Sequence, residues 1–265
     1  MLPLAIIVAL SAALVITTRK WLKAVAKRRA EGFGRPWRIR RVPLADLDPI
    51  FVPDAIKGYG PDTEVVFTSR VGSQLGATSN YEAWILAALA RRSTTMFEFG
   101  TATGRTAYLW ARNAPSNACV YTLTLPPDGG ATYTASRDDD PDDERLARHE
   151  STSQTYVYSG TDVESHIVQL YGDSKAFDET PYAGRCDLIF VDGSHAYSYT
   201  VSDSAKALRM LRPGGLVLWH DYVGGAGARG CYRALNELAA DLPLAHIAGT
   251  TLVAYRAPVF GSPGA

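Results

Sequence analysis

Cysteine is scarce in this chain and badly placed for cross-linking. Cys119, Cys186 and Cys231 stand far apart, with no CxxC pair and no zinc-ligand spacing. An odd, dispersed set excludes a disulfide framework and a zinc module, and it suits a reducing compartment. Cys119 and Cys186 stand at the start of predicted strands and read as small buried hydrophobes. Net charge is also missing, since 27 Lys and Arg balance 27 Asp and Glu. Charge is absent altogether from Leu2–Thr18 (LPLAIIVALSAALVITT). What remains is ordinary: 265 residues, 46% hydrophobic and 20% charged, enough for one large α/β domain or two small ones.

The zero balance hides an asymmetry. Residues 19–41 carry ten Lys or Arg against Glu31 alone, a net of +9, which leaves 17 basic and 26 acidic residues, a net of −9, in 42–265. A basic neck therefore joins an acidic body and calls for an anionic partner. The uncharged run beside it favours a membrane surface over nucleic acid. Seventeen helical residues rise roughly 26 Å, at the short end for a span, and Trp21 and the lysines that follow can extend it. All the positive charge follows the run, which predicts an inner-membrane single-pass anchor with its N-terminus out and the body cytoplasmic. A cleaved signal peptide and an interfacial helix stay open as alternatives. Met1-Leu2-Pro3 lacks the basic start that a signal peptide needs.

The chain divides into an anchor and neck (1–29), an extended connector with Pro43, Pro49, Pro53 and Pro61 (30–63), a main domain (64–258) and a tail (259–265). Ser79-Asn80-Tyr81-Glu82 is a capping box opening a helix over Tyr81–Ala90. Strands are then predicted at Thr95–Phe99, Val120–Leu125, Ile167–Leu170, Asp187–Val191, Leu216–Trp219 and Thr251–Tyr255. Helices are predicted at Thr106–Asn113, Tyr199–Leu211 and Gly230–Ala240. This alternation implies a doubly wound, mostly parallel Rossmann-like α/β sheet. Residues 126–160, with DDDPDDE at Asp138–Glu144, interrupt it as an acidic surface insertion. A docking surface or a lid over a pocket is the other reading of that segment.

Chemistry concentrates at the strand ends, where doubly wound sheets bind ligands. The stretch Met96–Thr106 (MFEFGTATGRT) ends a strand in Glu98 and turns through Gly100 and Gly104 into a helix N-terminus. Such a turn lets backbone approach a nucleoside-type cofactor. Asp173-Ser174, Asp192-Gly193-Ser194-His195 and His220-Asp221 follow three further strands. Asp192 and Asp221, from adjacent strands, could hold Mg²⁺ or a similar hard cation. His195 could equally serve as general base toward a substrate hydroxyl.

These stretches resemble class I S-adenosylmethionine-dependent methyltransferases, in the branch that includes macrocin O-methyltransferase-like and cephalosporin hydroxylase-like proteins. The matching segments are FEFGTATGRTAYLWARN, VYTLTLP, QLYGDSKAFDETPY, DLIFVDGSHAYSY, ALRMLRPGGLVLWHDY and HIAGTTLVAY, in family order across most of 79–256. The resemblance implies that Glu98, Gly100 and Gly104 cradle the methionine part of S-adenosylmethionine and that Asp173 and Ser174 approach the adenine. Asp192 would face the cofactor or a metal, and His195 and Asp221 would line the acceptor pocket. One position departs: Thr124 stands where the family has an acid gripping the ribose. Losing that grip costs roughly 1–3 kcal/mol of binding, a factor of about 5 to 150.

Two functions follow as expectations. The first is a membrane-anchored methyltransferase acting on a small-molecule, sugar or lipid-linked hydroxyl. The second is a non-catalytic subunit of a larger membrane complex, respiratory or photosynthetic for example, with stable membrane-protein partners and a weakened cofactor site. An oxygenase-like activity lacks an iron triad. Lipid contact is expected through residues 2–29, and no nucleic acid.

Overall fold

The structure is a computed structural model and describes residue 14 and residues 17–22, 38–69, 78–127, 133–152, 155–223 and 228–259. Eight strands form one sheet in the order β1-β7-β8-β6-β5-β2-β3-β4. They are β1 (Arg40–Val42), β2 (Thr95–Phe99), β3 (Cys119–Thr124), β4 (Ile167–Tyr171), β5 (Cys186–Val191), β6 (Leu211–Trp219), β7 (Ala245–Ile247) and β8 (Val253–Arg256). Every neighbouring pair is parallel except those of β8, which runs antiparallel to both β6 and β7. The expected doubly wound sheet is therefore present, with one reversed strand. The helices are α1 (Asn80–Ala90), α2 (Arg105–Asn113), α3 (Pro141–Glu150), α4 (Tyr197–Met210) and α5 (Arg229–Leu238).

The alternation of side chains along the strands splits the core into two faces. Met96 of β2 and Leu188 and Phe190 of β5 pack under α1 and α2 with Leu86 and Trp110. Phe97, Phe99, Ile189 and Val191 face the other way, toward Met210 of α4 and Leu235 of α5. Because β5 is covered on both sides, it reads as a continuous apolar run rather than an alternating one. The strand β6 starts five residues earlier than expected. Leu211 pairs with Cys186, the register then shifts, and Leu216 pairs with Leu188, so the Arg212–Gly215 segment is carried as an irregularity.

Two segments outside the alternating pattern carry structure of their own. The described part of the connector, residues 38–63, lies across the domain: Val42, Leu44, Leu47, Ile50 and Phe51 are buried in the core, and β1 extends the sheet beside β7. A three-residue strand among prolines has no readable period, so only its partner reveals it. The acidic insertion contains the helix α3. Asp140 caps it by accepting from the Asp142 backbone N–H, with Pro141 in the first turn and Asp142, Asp143 and Glu144 at its positive end.

The expected transmembrane helix over Leu2–Thr18 lies almost wholly outside the described residues. Among those described, no helix is long and apolar enough to cross a membrane. Leu14 and residues 17–22 are helical and exposed.

Candidate active site

At the top of β2 the chain passes from Phe99 into a strained loop. Gly100 has φ +99°, Ala102 φ +44° and Gly104 φ +77°. The two glycines answer to the protein's own packing. A Cβ on Gly100 would sit 2.0 Å from the Asp192 carbonyl oxygen, and one on Gly104 would sit 2.7 Å from the Tyr158 ring. Gly100 still borders a pocket, formed with the ends of β3, β4 and β5. Gly104 instead starts α2 beneath the stacked rings of Tyr156 and Tyr158.

The pocket gathers four of the expected cofactor residues: Gly100, Thr124, Ser174 and Asp192. Three others do not line it. Besides Gly104, Asp173 is buried behind the lining, where Oδ1 accepts from the Lys175 backbone N–H at 2.9 Å and the carboxylate meets the Tyr199 hydroxyl. Glu98 is enclosed on the α2 side of the sheet, accepting from Thr122 Oγ1 at 2.6 Å. Burial, reinforced by the charge of Asp192, pushes its carboxyl up to about 8. An acid at a strand end points to whichever face its parity selects, and here that face is covered.

The insertion roofs the pocket, which favours the lid reading over a remote surface loop. Tyr133 stacks on Tyr199 at 4.4 Å between ring centroids, and its hydroxyl lies 2.8 Å from Ser194 Oγ. Thr134 N–H donates to Tyr199 Oη at 2.8 Å, and Asp139 accepts from Ser198 N–H at 2.9 Å. Ala147 and Glu150 of α3 complete the roof.

A second, smaller cavity shares Asp192, Gly193 and Ser194 with the first and contains His195, His220 and Asp221. Here a buried charge cluster forms. His195 Nε2 is 2.7 Å from Asp221 Oδ2, and His220 Nδ1 is 3.0 Å from Asp192 Oδ1 and 3.1 Å from Asp221 Oδ2. His220 Nε2 faces Glu82 Oε2 at 3.5 Å. Burial disfavours charge on both imidazoles, but the bond to Asp221 and the surrounding carboxylates win, lifting His195 to about 9 and His220 well above its ordinary value. Burial likewise opposes ionisation of Asp221, yet the two imidazoles hold it well below the usual carboxylate range. Asp192 is raised, chiefly by burial. Asp221 also sits in the left-handed region at φ +60°, a conformation that only strong surroundings maintain.

Asp192, His195 and Asp221 each present a ligand atom, all within 4.8 Å of one another. The expected pairing of Asp192 with Asp221 across adjacent strands is thus present in space. The sequence reading missed Glu82 as a member of this cluster. It appeared only as the capping-box acid, a role it keeps: Oε2 accepts from Ser79 N–H at 2.8 Å, while Oε1 accepts from Thr251 N–H at 2.6 Å. Tyr133, Glu150, Ser194, Tyr199 and Asp203 were missed as well. Except for Ser194, which stands in the DGSH segment, no spacing marks them.

The sheet is parallel except at β8, and carboxylates and imidazoles stand at the ends of β5 and β6. The family described as "Methyltransferase domain" matches residues 97–222, consistent with the class I S-adenosylmethionine-dependent methyltransferases. No curated protein matches the chain. Among solved structures, it is similar to the O-methyltransferase TomG of Streptomyces achromogenes, involved in tomaymycin synthesis and crystallised with S-adenosylmethionine. That alignment has 18% identity over 68% of this chain and 82% of TomG, with a TM-score of 0.46. It is also similar to the Podospora anserina methyltransferase PaMTH1, bound to S-adenosylhomocysteine, at 18% identity over 69% of this chain and 80% of the other, TM-score 0.47. Neither likeness is close enough to carry an argument about substrate.

Proposed function

We propose that this protein is an S-adenosylmethionine-dependent O-methyltransferase whose larger pocket takes the cofactor and whose smaller cavity takes the acceptor hydroxyl. The observation that carries the reading is the His195–Asp221 pair, 2.7 Å apart, standing where the two cavities meet through Asp192–Ser194. The pocket's residues fit the cofactor: Leu125 and Tyr199 offer apolar surface for a flat base, and Asp192 offers a carboxylate near Gly100 for a cationic end. Bound there, S-adenosylmethionine would supply an electrophilic methyl group.

The chain's own part is positioning and proton handling. Asp221 orients His195 by accepting a hydrogen bond from Nε2–H at Oδ2, which makes Nδ1 the nitrogen at which neutral His195 takes the acceptor's proton. A divalent cation is the second way to lower the acceptor's pKa, with Asp192 and Asp221 as ligands and His195 in reach. In this structure, positive imidazoles already neutralise those carboxylates, so Mg²⁺ would have to displace that charge. We rank the histidine first for this reason. Tyr133 and α3 cover part of the pocket.

The acceptor class stays as broad as the sequence reading: a small-molecule, sugar or lipid-linked hydroxyl. Membrane anchoring through residues 2–29, N-terminus out and body cytoplasmic, is part of the proposal. It is supported by the uncharged run followed by ten basic residues in 19–41. Retention of the full chain in alkali-washed membranes checks it, and release into the wash refutes it.

Calorimetric titration of S-adenosylmethionine into the full-length protein tests the enzyme reading. Saturable binding below the millimolar range is expected, weakened by the neutral Thr124. Absence of binding at millimolar cofactor would sink the enzyme and leave the membrane-subunit reading.

A further inference from the structure

The lining of the pocket beside Gly100 includes a carboxyl that the reaction leaves unused. Asp203 projects from α4 into the pocket wall beside Ser174 and Tyr199, and only 1% of it is exposed. Its Oδ1 has no hydrogen-bond partner among the described residues. The Ser174 hydroxyl interacts with this carboxyl, and Lys206 is the cation nearest in influence. That lysine is already committed, its Nζ bonding the Phe177 carbonyl and lying 3.3 Å from Glu179 Oε2. A buried oxygen without a donor is costly, and natural structures tolerate it chiefly where a ligand or water completes it. Burial pushes the carboxyl up to about 7, so near neutrality it holds a proton about half the time and a suitable N–H would favour the ionised form.

The donor it awaits is narrowed by its surroundings. Thr124, at the end of β3, and Asp203 both line the pocket; Tyr199 precedes Asp203 by one turn of α4, and a Cβ on Gly193 would sit 3.7 Å from Asp203 Oδ2. Asp173, which the family resemblance assigns to the adenine, does not line the pocket; its carboxylate is taken up by the Lys175 backbone N–H and the Tyr199 hydroxyl. A base bound here would lack that acceptor, while Asp203 of the lining keeps an oxygen with no hydrogen-bond partner among the described residues.

We propose that Asp203 is a specificity-determining residue that accepts a hydrogen bond from the exocyclic amino group of the cofactor's base. This rests on the reading that the pocket holds S-adenosylmethionine. It assigns to α4 a recognition role that the strand-end motifs do not contain.

The test compares S-adenosylhomocysteine with S-inosylhomocysteine, in which an oxo group replaces the amine, by calorimetry on the full-length wild type and on Asp203→Asn. A site built around an N–H donor penalises the analogue that lacks it, so the wild type should favour the adenosyl ligand by at least about tenfold. The carboxamide of Asp203→Asn can turn either an acceptor or a donor toward the ring, and the preference should shrink to within about threefold. Equal affinities in the wild type, or a full preference kept by Asp203→Asn, would overturn the proposal and point to a carboxyl satisfied by water. If the amide variant fails to fold by circular dichroism, Asp203→Ser carries the same readout. A wild type that binds neither ligand removes the cofactor reading itself, an outcome distinct from binding both alike.

Discussion

Glu98→Gln isolates a charge that the fold works against. In the wild type, the carboxyl is fully enclosed, accepts from Thr122 Oγ1 and is pushed up to about 8 by burial, with Asp192 adding repulsion. Unfolded, it returns to its ordinary value of 4.5. The folded pKa lies above the unfolded one, so the native state binds an extra proton between those values. Stability is therefore fully present below the unfolded value and is lost as pH rises through the folded one. The slope is about 1.4 kcal/mol per pH unit and halves at the folded value, so from about pH 6 to about pH 8 the wild type should lose roughly 2 kcal/mol through this group alone. That is a large share of the roughly 5–15 kcal/mol that holds a typical domain together. Gln keeps the acceptor for Thr122 and removes the titration. Urea unfolding of both proteins across this range should give curves that diverge by about that amount, the variant being the more stable at the alkaline end. Parallel curves would show that Glu98 does not titrate as its enclosure requires.

Three further outcomes follow from the geometry. His195 is lifted to about 9, so the neutral base is scarce at neutral pH, and methyl transfer should rise about tenfold per unit up to about pH 9 and then level off; His195→Gln should lower turnover about 10²–10⁴-fold, and a pH-independent wild-type rate would exclude it as the base. Gly100→Ala would place a Cβ 2.0 Å from the Asp192 carbonyl oxygen, whereas the same change at Gly172 meets nothing within 4 Å; soluble yield and denaturant midpoint should collapse only for Gly100, with a loss above about 4 kcal/mol. Thr124→Asp should tighten S-adenosylmethionine binding about 5- to 150-fold by calorimetry, and unchanged affinity would mean that the ribose does not lie against this residue.

Much of the sheet was legible because its signals are local. Short apolar strands alternating with capped helices need only neighbouring residues to declare themselves, and α1 began at its capping box. The segments that escaped lack such a signal. The strand β1 is three residues long and is defined by its pairing with β7, some two hundred residues away. The helix α3 lies in an acidic stretch whose charges resemble a solvated loop, although Asp140 and Pro141 are a start signal in hindsight.

The site divided in the same way. The carboxylates and imidazoles at the ends of β5 and β6 could be placed together from the rule that doubly wound sheets present ligand-binding residues there. Glu98 was judged by its position at a strand end, but the face it took was decided by the parity of the strand and the helices covering it.

The sequence by itself determined the class of fold and the rim on which the candidate residues stand, since both follow from periodicity and strand-end position. Only the tertiary structure decided which side chains open on the pocket, that the acidic insertion roofs it, and that Glu82 and Asp203 belong to the two cavities. Those facts depend on contacts between segments far apart in the chain, where burial and charge are set by neighbours that no local pattern names.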